Sequence, residues 1–184
     1  WPYQLPNMDP ETLARLVFCF ENHPEREDGI ISGAQDAIGI CVPGLCRHYY
    51  DNHFWPERIE TCEEEAVLQW LENHLCMIPM EPRCPGCSVV EGQDITPEKV
   101  KALAAAADRC WEAIMSMDLD AFATAYKDSF HAQVAMFPAM IQGSVSSYIE
   151  KYCAMDEVLA WKMPGAGGGG YLALVVTDAK TCSL

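Results

Sequence analysis

Pro164-Gly165-Ala166-Gly167-Gly168-Gly169-Gly170 runs directly into the apolar stretch Tyr171-Leu172-Ala173-Leu174-Val175-Val176. Five of the chain's twelve glycines fall within six residues. Each glycine costs backbone entropy on folding and packs no side chain. Such a run ahead of a strand calls for positive φ, or for close approach of another backbone or a ligand. Two readings stand side by side: a hairpin tip, or a nest of N–H groups that holds an anion. The run lacks the Lys-Ser/Thr that closes a Walker loop. It also precedes a strand rather than a helix, unlike the dinucleotide-binding turn.

The chain has 184 residues, enough for one domain or one and a small part, and half of them are hydrophobic. A net charge of −15 opposes broad nucleic-acid binding and association with anionic membranes. It leaves room for an anionic ligand held by a local loop and a single cation. Ten cysteines at irregular spacing, in a chain with enough apolar residues to fold without staples, read as reduced, buried thiols of a cytoplasmic protein. No signal peptide and no apolar stretch near twenty residues is expected to direct export or span a membrane. The chain opens at Trp1-Pro2-Tyr3 without Met, as a part of a longer protein would.

Outward from the glycines, the sequence reads as an α+β chain: an antiparallel sheet packed against helices. Asp9-Pro10-Glu11 opens a helix to about residue 22, with Leu13, Leu16, Val17 and Phe20 on its core face. Asp36 to Val42 is apolar enough for a buried strand or turn, and two short hairpin strands follow at 45–50 and 56–60. A helix from Cys62 to Leu75 leads into a strand to Pro79 and a Pro/Gly-rich loop over 80–95. Thr96-Pro97-Glu98-Lys99 starts a helix to Met117, and Asp118 starts another to about Met136. A short helix over Val145–Tyr152 and a strand over Val158–Met163 complete the approach to the glycines.

A second constellation is Ser32-Gly33-Ala34-Gln35-Asp36-Ala37-Ile38-Gly39. Here an aspartate stands in an apolar setting, where a buried carboxylate needs a partner. It reads either as a turn cap or as a general base that orients a substrate hydroxyl. Together, Gly33-x-Gln35-Asp36-x-x-Gly39 and Lys162-x-x-Gly165-Ala166-Gly167-Gly168-Gly169-Gly170-Tyr171-Leu172 resemble the GHMP small-molecule kinases. The likeness is to the branch of fucokinase-, galactokinase- and heptose-phosphate-kinase-like proteins. Ala121-Phe122 and Ser129-Phe130-His131-Ala132-Gln133-Val134-Ala135-Met136-Phe137-Pro138 resemble the helix pair of that branch's C-terminal domain. The resemblance spans roughly residues 12 to 176.

The resemblance implies two α+β domains with the active site in the cleft between them. Residues 1–60 would be the remnant of the N-terminal kinase domain that carries the Gln-Asp motif, and 61–184 the C-terminal-like domain. It implies that Asp36 acts as the catalytic base, with Gly33, Gln35 and Gly39 against the sugar. The loop Gly165, Ala166, Gly167, Gly168 and Gly169, with Lys162, would serve the phosphates, and Glu21 would help hold Mg²⁺. ATP, Mg²⁺ and a sugar or sugar phosphate are the implied partners. The family's earlier Gly-Ser-rich ATP loop has no counterpart ahead of Asp36. A non-catalytic binding module that keeps the kinase C-terminal fold is the alternative.

Cys84-Pro85-Gly86-Cys87, beside Arg83, fits either a metal or redox pair or plain loop cysteines. No second such pair and no close pair of histidines accompanies it, which favours loop cysteines. Tyr49, Tyr50, Phe54 and Trp55 fit either a sugar-binding wall or hairpin packing.

Overall fold

Helix α1 (Pro10–Glu21) starts where its sequence says it should. The Thr12 N–H donates to Asp9 Oδ1 at 2.9 Å, and Pro10 occupies the first helical position. In the computed structural model, residues 7–23, 31–82, 91–141 and 144–180 are described. The chain divides into two compact units, Trp1–Leu68 and Gln69–Leu184. The division falls inside helix α3 (Glu65–His74).

In the first unit, α1 packs against α2 (Ala34–Cys41). The segment expected as a buried strand or turn at 36–42 is thus a helix. Its buried side is Ala34, Ala37 and Ile38, one face at helical spacing. These small residues let α2 approach Ala14, and Ala14, Ala34 and Ile38 form the core of the unit. Phe18, Cys46, Trp55 and Ile59 pack around them, with Phe18 edge-on to Trp55. The contact face of α1 is therefore Ala14 with Phe18, not the stripe expected from periodicity. A two-stranded antiparallel sheet, β1 (Leu45–Tyr49) and β2 (Arg58–Cys62), completes the unit with Leu45 opposite Cys62 and Tyr49 opposite Arg58.

In the second unit, three antiparallel strands lie in the order β3 (Leu75–Pro79), β5 (Tyr171–Val176), β4 (Val158–Lys162). The central strand β5 is buried without break from Leu172 to Val176. Leu172, Leu174 and Val176 join Ile78, Phe130, Met140, Val145, Tyr152, Val158 and Met163 in one apolar core. Helices α4 (Pro97–Met115) and α5 (Leu119–Met136) are antiparallel: Lys99, at the start of α4, donates to the Ala135 carbonyl near the end of α5. Arg109 and Asp128 bridge them at 2.8 Å. A short 3-10 helix (Pro138–Ile141) leads on from α5 towards α6 (Val145–Cys153), and α5 and α6 both pack on β4. The architecture is α+β, small antiparallel sheets packed with helices.

The thiols depart from the expectation of burial. Among the described cysteines, all free, only Cys62 is buried, while Cys19 and Cys153 are exposed. Cys84 and Cys87 lie outside the described residues. Among the described residues, no helix is long and apolar enough to cross a membrane.

Candidate functional site

The glycine run links β4 to β5, and its backbone explains its composition. Gly165, Gly167, Gly168, Gly169 and Gly170 all have φ between +64° and +148°, a region that side-chain-bearing residues rarely adopt. Gly167 is also hemmed in: a Cβ there would lie 2.9 Å from Met140 Cβ and 3.1 Å from the Met140 carbonyl oxygen. The loop is pinned at both ends. Gln133 Nε2 donates to the Gly165 carbonyl at 3.1 Å, and the Gly168 N–H donates to the Met140 carbonyl at 2.9 Å. The Gly170 N–H donates to the Glu81 carbonyl, and its own carbonyl accepts from the Met80 N–H. Two loop N–H groups are thereby spent inside the protein. Those of Ala166 and Gly169 donate to no described residue.

Polar side chains on α5 and at the end of β4 lie close to this loop in sequence or contact. Lys162, the last residue of β4, turns its ammonium to Ser129 Oγ on α5, at 2.6 Å. Burial pushes the Lys162 pKa down, and it likewise pushes the nearby Cys110 thiol up to about 11. Ser129 and Gln133 are one helical turn apart, so the lysine lies one turn along α5 from the latch on Gly165. The Gln133 Oε1 is buried without a partner among the described residues. Glu81 accepts from the Ser144 hydroxyl at 2.9 Å, and its own backbone N–H with that hydroxyl holds its carboxyl below the usual range.

In the first unit, Asp36 occupies the first turn of α2, where a carboxylate suits the helix dipole. Its side chain is exposed, not set in an apolar interior as its neighbours in sequence suggest. Gln35, Asp36, Gly39 and Ile40 form the outer face of α2, opposite Ala34, Ala37 and Ile38. A Cβ on Gly39 would meet nothing within 4 Å, so packing does not demand a glycine there. The result is bare helix backbone one turn from Asp36. Glu21 is the last residue of α1 and half-buried. Among the described residues, no group of three or more metal-ligating side chains forms.

Two residues position these elements without having stood out in the sequence. Asn22 closes α1: its Nδ2 donates to the Phe18 and Ser32 carbonyls, and its Oδ1 accepts from the Ser32 N–H at 2.7 Å. It thereby fixes the chain just ahead of Gly33 and Asp36. Gln133 does the same for Gly165. The only sequence signal was that both are polar residues at or near helix ends. Of the aromatic set, Trp55 packs on Phe18, and Tyr49 lies under Arg58 and Arg47 while donating to Glu60. Tyr50 and Phe54 are exposed.

Lys162 and the glycine loop belong to the second unit, with the lysine turned to Ser129. Asp36, Gln35, Gly33, Gly39 and Glu21 belong to the first. The sequence matches no known protein-family profile, and no curated protein. The fold is similar to that of a "putative sugar kinase" from Campylobacter jejuni, solved at 2.4 Å resolution, with a TM-score of 0.58 and 20% identity. The match covers 93% of this chain and 46% of that one, so the chain spans about half the length of the protein it matches. At that identity the likeness is one of fold.

Proposed function

We propose that this chain is the C-terminal portion of an ATP-dependent sugar kinase of the GHMP type. The observation that carries the reading is the glycine loop: pinned at Gly165, Gly168 and Gly170, it enters a buried central strand in a fold similar to that of the Campylobacter protein. Such a loop is pre-formed, so a phosphate meets donors that need little further ordering. The N–H groups of Ala166 and Gly169 are the donors on offer, and Lys162 adds its field from the end of β4, three residues ahead of Gly165.

In this reading Asp36 accepts the proton of a sugar hydroxyl as that oxygen attacks the γ-phosphorus of ATP, and ADP departs. Gln35 hydrogen-bonds a neighbouring hydroxyl, and the bare backbone at Gly39 leaves room for the sugar ring. Mg²⁺ suits this site type through one or two carboxylates and the phosphate oxygens, and Glu21 is the half-buried acid that would contribute. It would supply charge neutralisation on the transferring phosphoryl. The substrate class is a fucose-, galactose-, arabinose- or heptose-phosphate-like sugar, in the cytoplasm.

The test is a panel of these sugars with ATP, using the polypeptide extended upstream of Trp1. One sugar should be phosphorylated, and Asp36→Asn should lower turnover by about 10²–10⁴-fold. Because Asp36 is exposed, its Tm should stay within about 2 °C of the parent. Turnover unchanged by Asp36→Asn removes that residue from the chemistry. A second reading, a non-catalytic binding module, is favoured by one observation: Lys162 and two loop N–H groups are already satisfied within the protein. It predicts no phosphorylation of any sugar by the extended polypeptide.

A further inference from the structure

The second unit holds a cavity of about 550 Å³ that the kinase reading does not use. It lies between α5, the 3-10 helix, α6 and β4, and its lining falls wholly within residues 130–161. The apolar wall is Phe130 and Val134, one turn apart on α5, with Ile141, Ile149 and Trp161. Phe130 belongs to the core, while Trp161 is half-buried and keeps part of its indole open. A concavity of this size with aromatic walls has the dimensions of a small-molecule site. A groove of similar size between α4 and α5 does not: its floor is Ala113, Ala121 and Ala125, and its Arg109 is committed to Asp128.

The polar groups of the cavity are chiefly acceptors. Ser146 and Glu150 line it one turn apart on α6, and His131 lines it from α5. The Ser146 hydroxyl donates to the Ile141 carbonyl at 3.2 Å, so what it offers a ligand is its oxygen lone pairs. Among the described residues the Glu150 carboxylate has neither a hydrogen-bond nor an ion-pair partner. No lysine or arginine is among the described lining residues; the Lys127 ammonium, 5.8 Å from the centre of the Trp161 ring, stands outside it. A carboxylate beside a hydroxyl oxygen suits an ammonium, which has three donors and no acceptor. An anion would meet Glu150 without a counter-charge in the lining, in a chain of net charge −15.

The walls of the cavity also carry the supports of the glycine loop. Gln133, between Phe130 and Val134 on α5, latches the Gly165 carbonyl. Met140, directly ahead of Ile141, crowds Gly167 and accepts from the Gly168 N–H. Trp161 is the penultimate residue of β4, the strand that runs into the loop. A ligand that orders these three walls therefore orders what holds the loop.

We infer that this cavity binds a small amphipathic amine, a ring carrying a primary ammonium group, and that its occupancy steadies the glycine loop. The ring lies on the Phe130–Trp161 wall, and Glu150 and Ser146 hold the ammonium. The inference stands apart from the kinase reading, because it holds whatever the loop itself binds.

The probe is 2-phenylethylamine, with 2-phenylethanol and phenylacetate as its neutral and anionic counterparts, each titrated by calorimetry at low salt. The amine should bind about fivefold or more tightly than phenylacetate, with the alcohol between them. Glu150→Lys, at an exposed position, should reverse that order. Ala135→Trp, also at an exposed position of the lining, should fill the cavity and weaken all three by about tenfold or more. At saturating amine, exchange of the Gly168 amide should slow by about twofold or more in the parent and stay unchanged in Ala135→Trp.

No saturable binding of the amine up to about 10 mM overturns the site. Equal affinity for the three probes overturns it too, as adsorption to an apolar surface, and binding that survives Ala135→Trp places the ligand elsewhere and does the same. If Ala135→Trp does not fold, the order of affinities in Glu150→Lys decides. Saturation with no change at Gly168 overturns the link to the loop. None of these readouts measures turnover, so a failed kinase assay and a failed amine site are told apart.

Discussion

Gly167→Ala should be more damaging than the same change at Gly165 or Gly170, and the structure gives its size. The residue sits at φ +74°, where a side-chain-bearing residue is disfavoured by about 1–2 kcal/mol. The new Cβ would lie 2.9 Å from both Met140 Cβ and Met140 Cε, and 3.1 Å from the Met140 carbonyl oxygen. That carbonyl also holds the Gly168 N–H, so it cannot yield freely. Overpacking of this kind costs about 1–3 kcal/mol. Loss of glycine's freedom in the unfolded chain offsets about 0.4–1 kcal/mol. The net is a destabilisation of about 2–4 kcal/mol, or roughly 6–12 °C in Tm for a chain of this size.

Gly165→Ala is the matched control. Its φ is +64°, but its Cβ would meet nothing within 4 Å. Strain less the entropy offset leaves about 0–1.5 kcal/mol there, under about 5 °C. Differential scanning fluorimetry on both variants, with hydrogen exchange at the Gly168 amide, separates the two contributions. Equal Tm losses would show that backbone strain alone governs the loop and that the Met140 contact does not matter.

Other consequences can be checked on the same chain. Asn22→Ala removes three hydrogen bonds at the end of α1 and should cost about 1–3 kcal/mol, with faster amide exchange concentrated at Ser32 to Asp36. Gln133→Leu frees the Gly165 carbonyl and also deletes a buried, unpartnered Oε1. Exchange in the loop should therefore rise while Tm moves by less than about 3 °C, and a large Tm loss would contradict the latch. Lys162→Met should leave Tm within about 3 °C of the parent near neutral pH, since it trades a half-buried ammonium and its bond to Ser129 for apolar packing. The parent should then gain on this variant as pH rises from the lowered folded pKa of Lys162 to its ordinary value of 10.5. Across that window the unfolded chain binds the extra proton, so stability increases with pH and levels off above it. Urea titrations of both proteins at stepped pH read the difference.

What the sequence disclosed and what it hid follow one division. Local signals were legible: Asp9 with Pro10, Thr96 with Pro97 and Asp118 each cap the helix they announce. The apolar run of β5 and the glycines ahead of it read correctly, because buried strands and left-handed turns leave strong composition marks. Helix α2 was not legible. Its N-cap is Gly33, which has no side chain to bond the first turn, and Gly39 lowers its propensity. Packing on Ala14, far back in the sequence, makes it a helix.

The α1 stripe was found by periodicity, yet periodicity does not say what covers a stripe. Lys162 was placed next to the loop, but its direction depends on a strand register and on Ser129, thirty-three residues away in sequence. Asn22 reaches ten residues and Gln133 thirty-two, distances at which side-chain partners leave no pattern in a single chain. The exposure of Asp36 escaped for the same reason that α2 did: as a strand the segment would be buried, and as a helix it has an outer face.

The order β3-β5-β4 has a consequence for synthesis. The strand that sits between the other two is the last of the three to be made, and it pairs with β3 across about a hundred residues. Until it emerges from the ribosome, β3 and β4 have no partner and their apolar faces wait on helices alone. The second unit therefore cannot complete its sheet until β5 has been made, and then closes it slowly, as long-range pairings do. A premature stop just ahead of β5 would remove the strand that both β3 and β4 pair with, and so the whole three-stranded sheet. Cells carrying such an allele should contain helical, aggregation-prone remnants instead of a folded second unit.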